Sequence, residues 1–204
     1  MTTEPYARDR EAVHEQLVDG FGTVRILPLD PHADLDIVHT WVAQERAGFW
    51  GMNGLTKQQV LDTYLHLASL DTHHAFLAVK DGEPVALFQT YEPEADRVSE
   101  CYDVEPGDIG VHLLIGPPGQ AGARPGFSSS LLVAFTTYVL VGLDRERVVV
   151  DPDERNGKAI ARFERQGFDP GPAVVLPEID LPDVYLPEKR ARLAFLTRKA
   201  AFGE

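Results

Sequence analysis

The sequence predicts an α+β fold in which a mixed β-sheet is flanked by helices. One strand pattern near the start is followed by two amphipathic helices and then by consecutive strand patterns up to residue 115. The second half then alternates helix, strand and helix. Its strand, Val148–Val150, is a run of three β-branched residues, which is typical of a parallel strand covered on both faces. A parallel strand in the same sheet as hairpins makes the sheet mixed.

Bulk composition indicates a soluble protein with one domain. The chain has 204 residues, of which 44% are hydrophobic, and it shows no apolar run of about 18 residues and no signal peptide pattern. We expect a flexible arm over residues 1–20, with a short helix over 10–18, and a single domain over 21–204. Cys101 is the one cysteine, so we expect neither an intrachain disulfide nor a cysteine-rich metal site. We therefore predict a cytoplasmic protein, either monomer or homodimer.

The formal net charge of −13 bears on possible partners. It argues against nucleic acid as a partner, because nucleic acid attracts basic proteins. The lack of a long apolar run argues against a membrane as a partner. A negative field would concentrate a cationic substrate such as an amine near a cleft, although acidity also simply improves solubility. An anionic ligand would need a locally positive site.

The first half of the chain contains regular strand and helix patterns. Thr23–Pro28 alternates like a strand, and helical spacing covers Asp34–Gln44 and Gln58–Leu70. An Asp-Gly turn predicts a hairpin between the strands Ala75–Val79 and Val85–Tyr91. Two further strands are predicted over 97–104 and 108–115. Between the two helices, the apolar cluster 49–52, which includes Trp50, either packs in the core or lines a substrate pocket.

A loop rich in glycine and proline, Gly116–Gly126, precedes a predicted helix over residues 128–141. Amides at the start of a helix point toward an anion, and glycine lets the backbone approach a phosphate closely. The loop therefore indicates a phosphate-binding cradle.

The segment after Val150 predicts a turn and a helix that follow the buried strand. Asp151 follows the buried strand, Pro152 ends the pairing, and a helix is predicted from Asn156 to Gln166. Ile160 and Phe163 form its apolar stripe, and Gly167 ends it.

This segment and the glycine-rich loop together resemble the GNAT acyltransferases. The resemblance lies in the sequence Asn-x-x-Ala-Ile-x-x-Phe-Glu-x-x-Gly-Phe, residues 156–168, and in a loop that the family writes Arg/Gln-x-x-Gly-x-Gly/Ala. Gly126 and Ser128 fall on the two small positions, whereas Ala123 stands where the family has Arg or Gln, and Arg124 is one place over. The resemblance implies the GNAT fold, with acetyl-CoA or succinyl-CoA as co-substrate and no metal. The implied acyl-CoA contacts are Leu113, Leu114, Ile115, Arg124, Gly126, Phe127, Ser128, Ser129, Ser130, Asn156 and Phe163.

Two further motifs narrow the resemblance. The runs Tyr102-Asp103-x-x-Pro106-x-Asp108-x-Gly110-x-His112 and Asp151-Pro152-Asp153-x-Arg155-Asn156 are similar to those of the siderophore-biosynthesis branch, whose members acylate lysine or hydroxylamines for aerobactin, rhizobactin, desferrioxamine and mycobactin. The resemblance implies hydroxamate siderophore biosynthesis and iron acquisition. The acceptor would be lysine N6, N6-hydroxylysine or an N-hydroxydiamine such as N-hydroxycadaverine.

In that branch the residue matching His112 binds the acceptor and the residue matching Asp151 is the general base. A carboxylate suits this role because an amine that attacks a thioester must lose a proton. Gln89, Trp50 and Tyr102 are candidate lining residues. Tyr138 could protonate the leaving thiolate, but core packing is the favoured interpretation.

Two alternatives remain open. The chain could acetylate an aminoglycoside or a polyamine, or it could be a non-catalytic domain that only binds acyl-CoA. The presence of both His112 and Asp151 argues against an inactive site.

Overall fold

The computed structural model describes residues 6, 9–119, 124–181 and 184–203. The α-helices and strands of these residues are β1 (His14–Val18), β2 (Gly22–Pro28), α1 (Leu35–Val42), α2 (Lys57–Ala68), β3 (His73–Lys80), β4 (Glu83–Tyr91), β5 (Asp108–Ile115), α3 (Phe127–Thr137), β6 (Arg147–Val150), α4 (Gly157–Arg165), β7 (Asp169–Leu176), β8 (Ile179–Leu181), β9 (Val184–Leu186), β10 (Lys189–Thr197) and α5 (Arg198–Phe202). None of the helices in these residues is long and apolar enough to cross a membrane.

The strands confirm the predicted mixed sheet. In the described residues, eight strands form one sheet in the order β1-β2-β3-β4-β5-β6-β10-β7, and β8 and β9 pair separately. Strands β5 and β6 run parallel, whereas β6 and β7 both pair antiparallel with β10. Asp81 and Gly82 have φ values of +49° and +86°, as expected for the predicted Asp-Gly hairpin turn between β3 and β4.

Contacts divide the chain into two compact units, and the first comprises Met1–Thr90 with Leu113–Phe135. Its core lies around α1, where Val38, Trp41 and Val42 recur at helical spacing and are buried. Helix α2 begins with a capping box between Thr56 and Gln59, which satisfies backbone N–H groups at its start.

The helix predicted over residues 10–18 is wrong, because His14–Val18 is strand β1. It pairs antiparallel with β2, with His14 opposite Ile26 and Val18 opposite Gly22. Burial alternates residue by residue along β1, which is the period of a strand rather than of a helix. Arg10 donates to Asp34 at 2.7 Å, so part of the predicted arm is held by a buried carboxylate. Residues 1–5 and 7–8 lie outside the described part of the chain.

The second unit comprises Tyr91–His112 with Thr136–Glu204. Its core includes Tyr91, Val98 and Leu193. The strand predicted over 97–104 is wrong, because Arg97–Glu100 forms a short 3-10 helix. The Asp96 carboxylate accepts a hydrogen bond from the Val98 N–H at 2.8 Å, which caps that turn.

The second unit also contains the strand–turn–helix that the sequence predicted. Strand β6 pairs parallel with β5, with Gly110 opposite Val149. The Asn156 side chain accepts from the Ala159 N–H at 3.2 Å at the start of α4, and Gly167 has φ +86° after its end. Asp151 therefore lies at the carboxyl end of β6.

Candidate active site

Asp151 and His112 lie in contact just beyond the paired part of β5 and β6. The His112 Nε2 is 3.1 Å from the Asp151 Oδ1. Asp151 is 4% exposed, whereas the His112 side chain is 36% exposed. An ionised carboxylate only accepts hydrogen bonds, so the neutral tautomer of His112 that fits this contact carries its proton on Nε2 and its lone pair on Nδ1.

Two more residues bind the same carboxylate, and the sequence-based prediction missed both. Lys189, at the start of β10, donates to Asp151 Oδ2 at 2.9 Å. The Tyr91 hydroxyl, at the end of β4, donates to Oδ1 at 3.3 Å. Tyr91 lies 60 residues before Asp151 and Lys189 lies 38 residues after it, so neither carried a local signal that it would meet Asp151.

These partners decide the charge of Asp151. Burial by itself raises the pKa of the carboxyl, but the charge of Lys189, that of a protonated His112 and the hydrogen bonds of both outweigh it, so the pKa lies well below its ordinary value of 3.8. Burial, with the nearby Asp151, raises the pKa of Tyr91 well above its ordinary value, so its hydroxyl stays a donor. A carboxylate that is buried, stabilised as an anion and contacted by three donors is a weak proton acceptor.

Packing explains why position 110, within the Tyr102–His112 motif, is a glycine. A Cβ at this position would lie 2.0 Å from Cζ of Tyr91. The ring of Tyr91 also packs against the His112 ring, with 4.9 Å between their centroids. Glycine is therefore required for the Tyr91 ring to lie against β5 and for its hydroxyl to reach Asp151.

Tyr102, a predicted lining residue, belongs to a neighbouring polar network. Its hydroxyl donates to Asp108 Oδ2 at 3.0 Å, and Arg147 donates to both oxygens of Asp108 at 2.7 and 2.8 Å. This bidentate pair links the paired ends of β5 and β6. The structure thus gives the Tyr102 hydroxyl a structural partner.

In the first unit, the structure brings together two predicted lining residues, Trp50 and Gln89. Trp50 Nε1 and Gln89 Nε2 donate to the hydroxyl of Tyr64 at 3.3 and 3.4 Å. Tyr64 is buried and was not predicted as a site residue. Trp50 also packs against the core around α1, so its aromatic body has the packing role that was one of the two interpretations.

The predicted phosphate cradle begins helix α3 of the first unit. Gly126 has φ +79°, a conformation that favours glycine, and directly precedes the helix. The N–H of Phe127 donates to the Arg124 carbonyl at 3.2 Å and that of Ser130 to the Gly126 carbonyl at 2.9 Å, so a turn leads into the helix and the amides of Ser128 and Ser129 lie in its first turn. Residues 120–123, including Ala123, lie outside the described part of the chain.

Arg46 adds a positive charge to this region, and the sequence did not predict it as a site residue. Its guanidinium donates to the carbonyls of Ile115 and Gly116, at 2.5 and 3.3 Å, where β5 leads into the glycine-rich loop. Arg46 is about 70 residues earlier in the sequence, in a short 3-10 helix, so no local pattern connects it with the loop.

Other predicted cofactor contacts have structural roles. Phe163 is 6% exposed and packs against Phe168, which gives its ring a role in the core. The Asn156 side chain caps α4. Leu114 is buried in the core around α1, which leaves only its backbone for a ligand. Tyr138 is buried, which raises the pKa of its hydroxyl and agrees with the favoured interpretation of core packing.

Comparison with known proteins identifies several relatives. The chain is 29% identical over 179 residues to an N(6)-hydroxylysine O-acetyltransferase of Escherichia coli, covering 86% of this chain and 52% of that protein. It is 24% identical over 123 residues to an N-hydroxyputrescine acetyltransferase of Acinetobacter baumannii, covering 59% and 57%. The chain thus spans about half the length of these two relatives. A third, an aminoglycoside N(6')-acetyltransferase type 1 of Klebsiella pneumoniae, is 25% identical over 163 residues, covering 77% and 79%.

Structural and family comparisons agree on the fold. An uncharacterised protein from Bacillus halodurans superposes with a TM-score of 0.75 at 23% identity, covering 94% of each chain. The model of the acetyltransferase (GNAT) domain family matches residues 30–176. These residues include both His112 and Asp151 and extend from the loop before α1 to the end of β7. This chain is therefore a member of the GNAT acetyltransferase domain family.

Proposed function

We propose that this protein transfers an acyl group from acyl-CoA to the nitrogen of a small amine or N-hydroxylamine by direct attack on the thioester. The observation that carries the proposal is the His112–Asp151 pair, a half-exposed imidazole hydrogen-bonded to a buried anion. Such a pair can hold a proton acceptor in one orientation. Family membership supports the reaction class.

The contacts suggest a different division of roles from the one that the sequence predicted. His112, rather than Asp151, receives the proton of the attacking nitrogen, because Asp151 is buried and already accepts from three donors. Asp151 orients the imidazole through Nε2, and Nδ1 accepts the proton. As the C–N bond forms, the C–S bond breaks and the electron pair leaves with the thiolate, which takes up a proton to give free CoA. Backbone N–H groups near Leu113 are candidates for the thioester oxygen.

Acyl-CoA binds at the start of α3 in this proposal. The amides of Ser128 and Ser129 lie in the first turn and suit a pyrophosphate, and Gly126 allows the backbone to approach it. Arg124 is an exposed cation beside the turn. Arg46 fixes the Ile115 and Gly116 carbonyls and adds positive charge to a chain whose net charge is −13. Both acetyl-CoA and succinyl-CoA are candidate donors.

We propose a hydroxamate siderophore precursor as the acceptor: lysine N6, N6-hydroxylysine or an N-hydroxydiamine. The motifs around His112 and Asp151 support it, as do the names of the Escherichia coli and Acinetobacter baumannii relatives. The second candidate is an aminoglycoside, which the similarity to the Klebsiella pneumoniae acetyltransferase favours.

An acceptor panel tests this function. Free thiol is measured with acetyl-CoA and with succinyl-CoA against lysine, N6-hydroxylysine, N-hydroxycadaverine, kanamycin and spermidine. We expect the highest kcat/KM with a lysine-type or N-hydroxydiamine acceptor. NMR of the product distinguishes an N-acyl from an O-acyl group, since the name of the Escherichia coli relative specifies oxygen. Acyl-CoA binding without thiol release on any acceptor would instead indicate the non-catalytic alternative.

The role of His112 is tested on the best acceptor. His112→Ala should lower kcat about 10²–10⁴-fold, as is typical for the loss of a positioned base. The matched control is His74→Ala, which removes an exposed histidine of β3 and should retain the wild-type rate. An unchanged kcat in His112→Ala would contradict the assignment.

A further inference from the structure

The partner of Asp151 that matters most for charge is Lys189. Its ammonium lies 2.9 Å from Oδ2, on the opposite oxygen from His112 and Tyr91. The Lys189 side chain is 25% exposed, so it is partly accessible next to a carboxylate that is not. Strand β10 brings it there by pairing with β6, with Ala194 opposite Val150.

The charged groups around Lys189 and Asp151 leave little net negative charge next to the His112 imidazole. Lys189 cancels Asp151, and Tyr91 stays neutral because burial raises the pKa of its hydroxyl. Asp153, the next carboxylate along the chain, is paired with Arg155 at 2.7 Å. Asp96 adds negative charge near Tyr91, but its carboxylate accepts the N–H of Val98 at 2.8 Å.

We propose that Lys189 is a specificity-determining residue, whose positive charge makes the site prefer a neutral N-hydroxylamine to a protonated alkylamine with the same carbon skeleton. This inference rests on the proposed function and specifies its acceptor class. It concerns the charge of Lys189, because the hydrogen bond to Asp151 could be made by a neutral donor.

The preference follows from the basicity of the two acceptors. An alkylamine such as the lysine side chain has an ordinary pKa of about 10.4 and is a cation at pH 7. Asp151 would attract this ammonium toward His112, but Lys189 cancels the charge of Asp151, so the cation gains no net attraction before it loses its proton. The hydroxyl oxygen of an N-hydroxylamine withdraws electrons, so that acceptor is neutral at pH 7 and loses nothing when Lys189 cancels the charge of Asp151. Two unit charges a few ångströms apart in a partly exposed site interact strongly enough to shift binding by about tenfold or more.

Three variants test the charge of Lys189 separately from its hydrogen bond to Asp151. Lys189→Gln removes the charge and retains an N–H donor for Asp151, Lys189→Arg retains the charge, and Lys199→Gln removes an exposed lysine of α5. For each protein, kcat/KM is measured at pH 7 with lysine and with N6-hydroxylysine. The ratio of the two values does not depend on how much of the enzyme is folded, because both acceptors are measured on the same sample.

We expect the ratio of kcat/KM for lysine to that for N6-hydroxylysine to rise about tenfold in Lys189→Gln and to stay within twofold of wild type in the other two variants. An unchanged ratio in Lys189→Gln, or an equal rise in Lys189→Arg, would overturn the inference. If wild type turned over neither acceptor, the proposed function would fail instead.

A second measurement needs no turnover. The carboxyl carbon of Asp151 is followed by NMR as the pH is lowered, in wild type, Lys189→Gln and Lys189→Arg. Because Lys189 is the leading cause that lowers the pKa of Asp151, the titration should move to higher pH in Lys189→Gln and not in Lys189→Arg. An Asp151 titration that is the same in Lys189→Gln and in wild type would show that the ammonium does not neutralise the carboxylate.

Discussion

Asp151 shows how its surroundings, rather than its residue type, decide the role of a side chain. A carboxylate at the end of β6 is a natural candidate for a general base, but here it is buried and contacted by Lys189, His112 and Tyr91. Removing one member of a buried ion pair typically costs about 3–5 kcal/mol, because the other charge is left uncompensated. Asp151 should therefore affect stability as well as activity.

We predict that Asp151 contributes to the acid sensitivity of the fold. Its folded pKa is depressed, so its stabilisation is fully present above the unfolded pKa, ordinarily 3.8, and is lost as the pH falls toward the folded value. The free energy of unfolding of wild type should exceed that of Asp151→Asn by about 3–5 kcal/mol at pH 6. The difference should narrow by about 1 kcal/mol at pH 3, where the unfolded carboxyl is mostly protonated.

Urea denaturation at pH 6 and pH 3 measures this difference. The control is Tyr91→Phe, which removes one hydrogen bond and leaves the carboxyl in place, so its difference from wild type should stay the same at the two pH values. A difference between wild type and Asp151→Asn that did not narrow in acid would mean that the carboxyl is not held as an anion in the folded state.

At the scale of elements, local patterns predicted the segments that carry the site. Strand β6 and helix α4 were predictable because Val148–Val150, the Asn156 cap and Gly167 act within a few residues of one another. Residues 10–18 and 97–104 were predicted wrongly, because backbone pairing with β2 and the Asp96 cap outweighed weak patterns. The contacts of Tyr91 and Lys189 with Asp151 could not be predicted, since both residues reach it only through the order of strands in the sheet.

The start of α3 gives a prediction for one element. Gly126 and Gly54 both have positive φ values, +79° and +84°, and a Cβ at either meets nothing within 4 Å. Valine should therefore strain both positions alike, by about 1–2 kcal/mol. We expect Gly126→Val to weaken acetyl-CoA binding about tenfold or more, since it displaces first-turn amides and blocks the approach of a phosphate.

Isothermal titration calorimetry with acetyl-CoA compares the two variants. Gly54→Val is the matched control for strain: its melting temperature should fall by a similar amount while its Kd for acetyl-CoA stays at the wild-type value. Equal Kd values in Gly126→Val and wild type would place the cofactor elsewhere.

On the scale of the whole molecule, charge has opposite consequences for the two proposed substrates. The formal net charge of −13 attracts cationic solutes and repels an anionic acyl-CoA at long range. Arg46 and Arg124 act only nearby, because salt screens exposed charges beyond about 10 Å at 0.1 M ionic strength and beyond about 30 Å at 0.01 M. The overall field should therefore govern encounter, and the local cations should govern the bound state.

We predict that kcat/KM for acetyl-CoA rises severalfold between 10 and 200 mM NaCl, because salt weakens the long-range repulsion more than the contacts at the helix start. The value for a cationic acceptor such as lysine should fall over the same range, whereas that for N6-hydroxylysine, whose hydroxylamine is neutral, should fall less. Steady-state kinetics with one substrate saturating separates the three values, and a sucrose series controls for viscosity and osmolarity. A kcat/KM for acetyl-CoA that fell with salt would show that positive charge around the cofactor site extends far enough to outweigh the acidity of the whole chain.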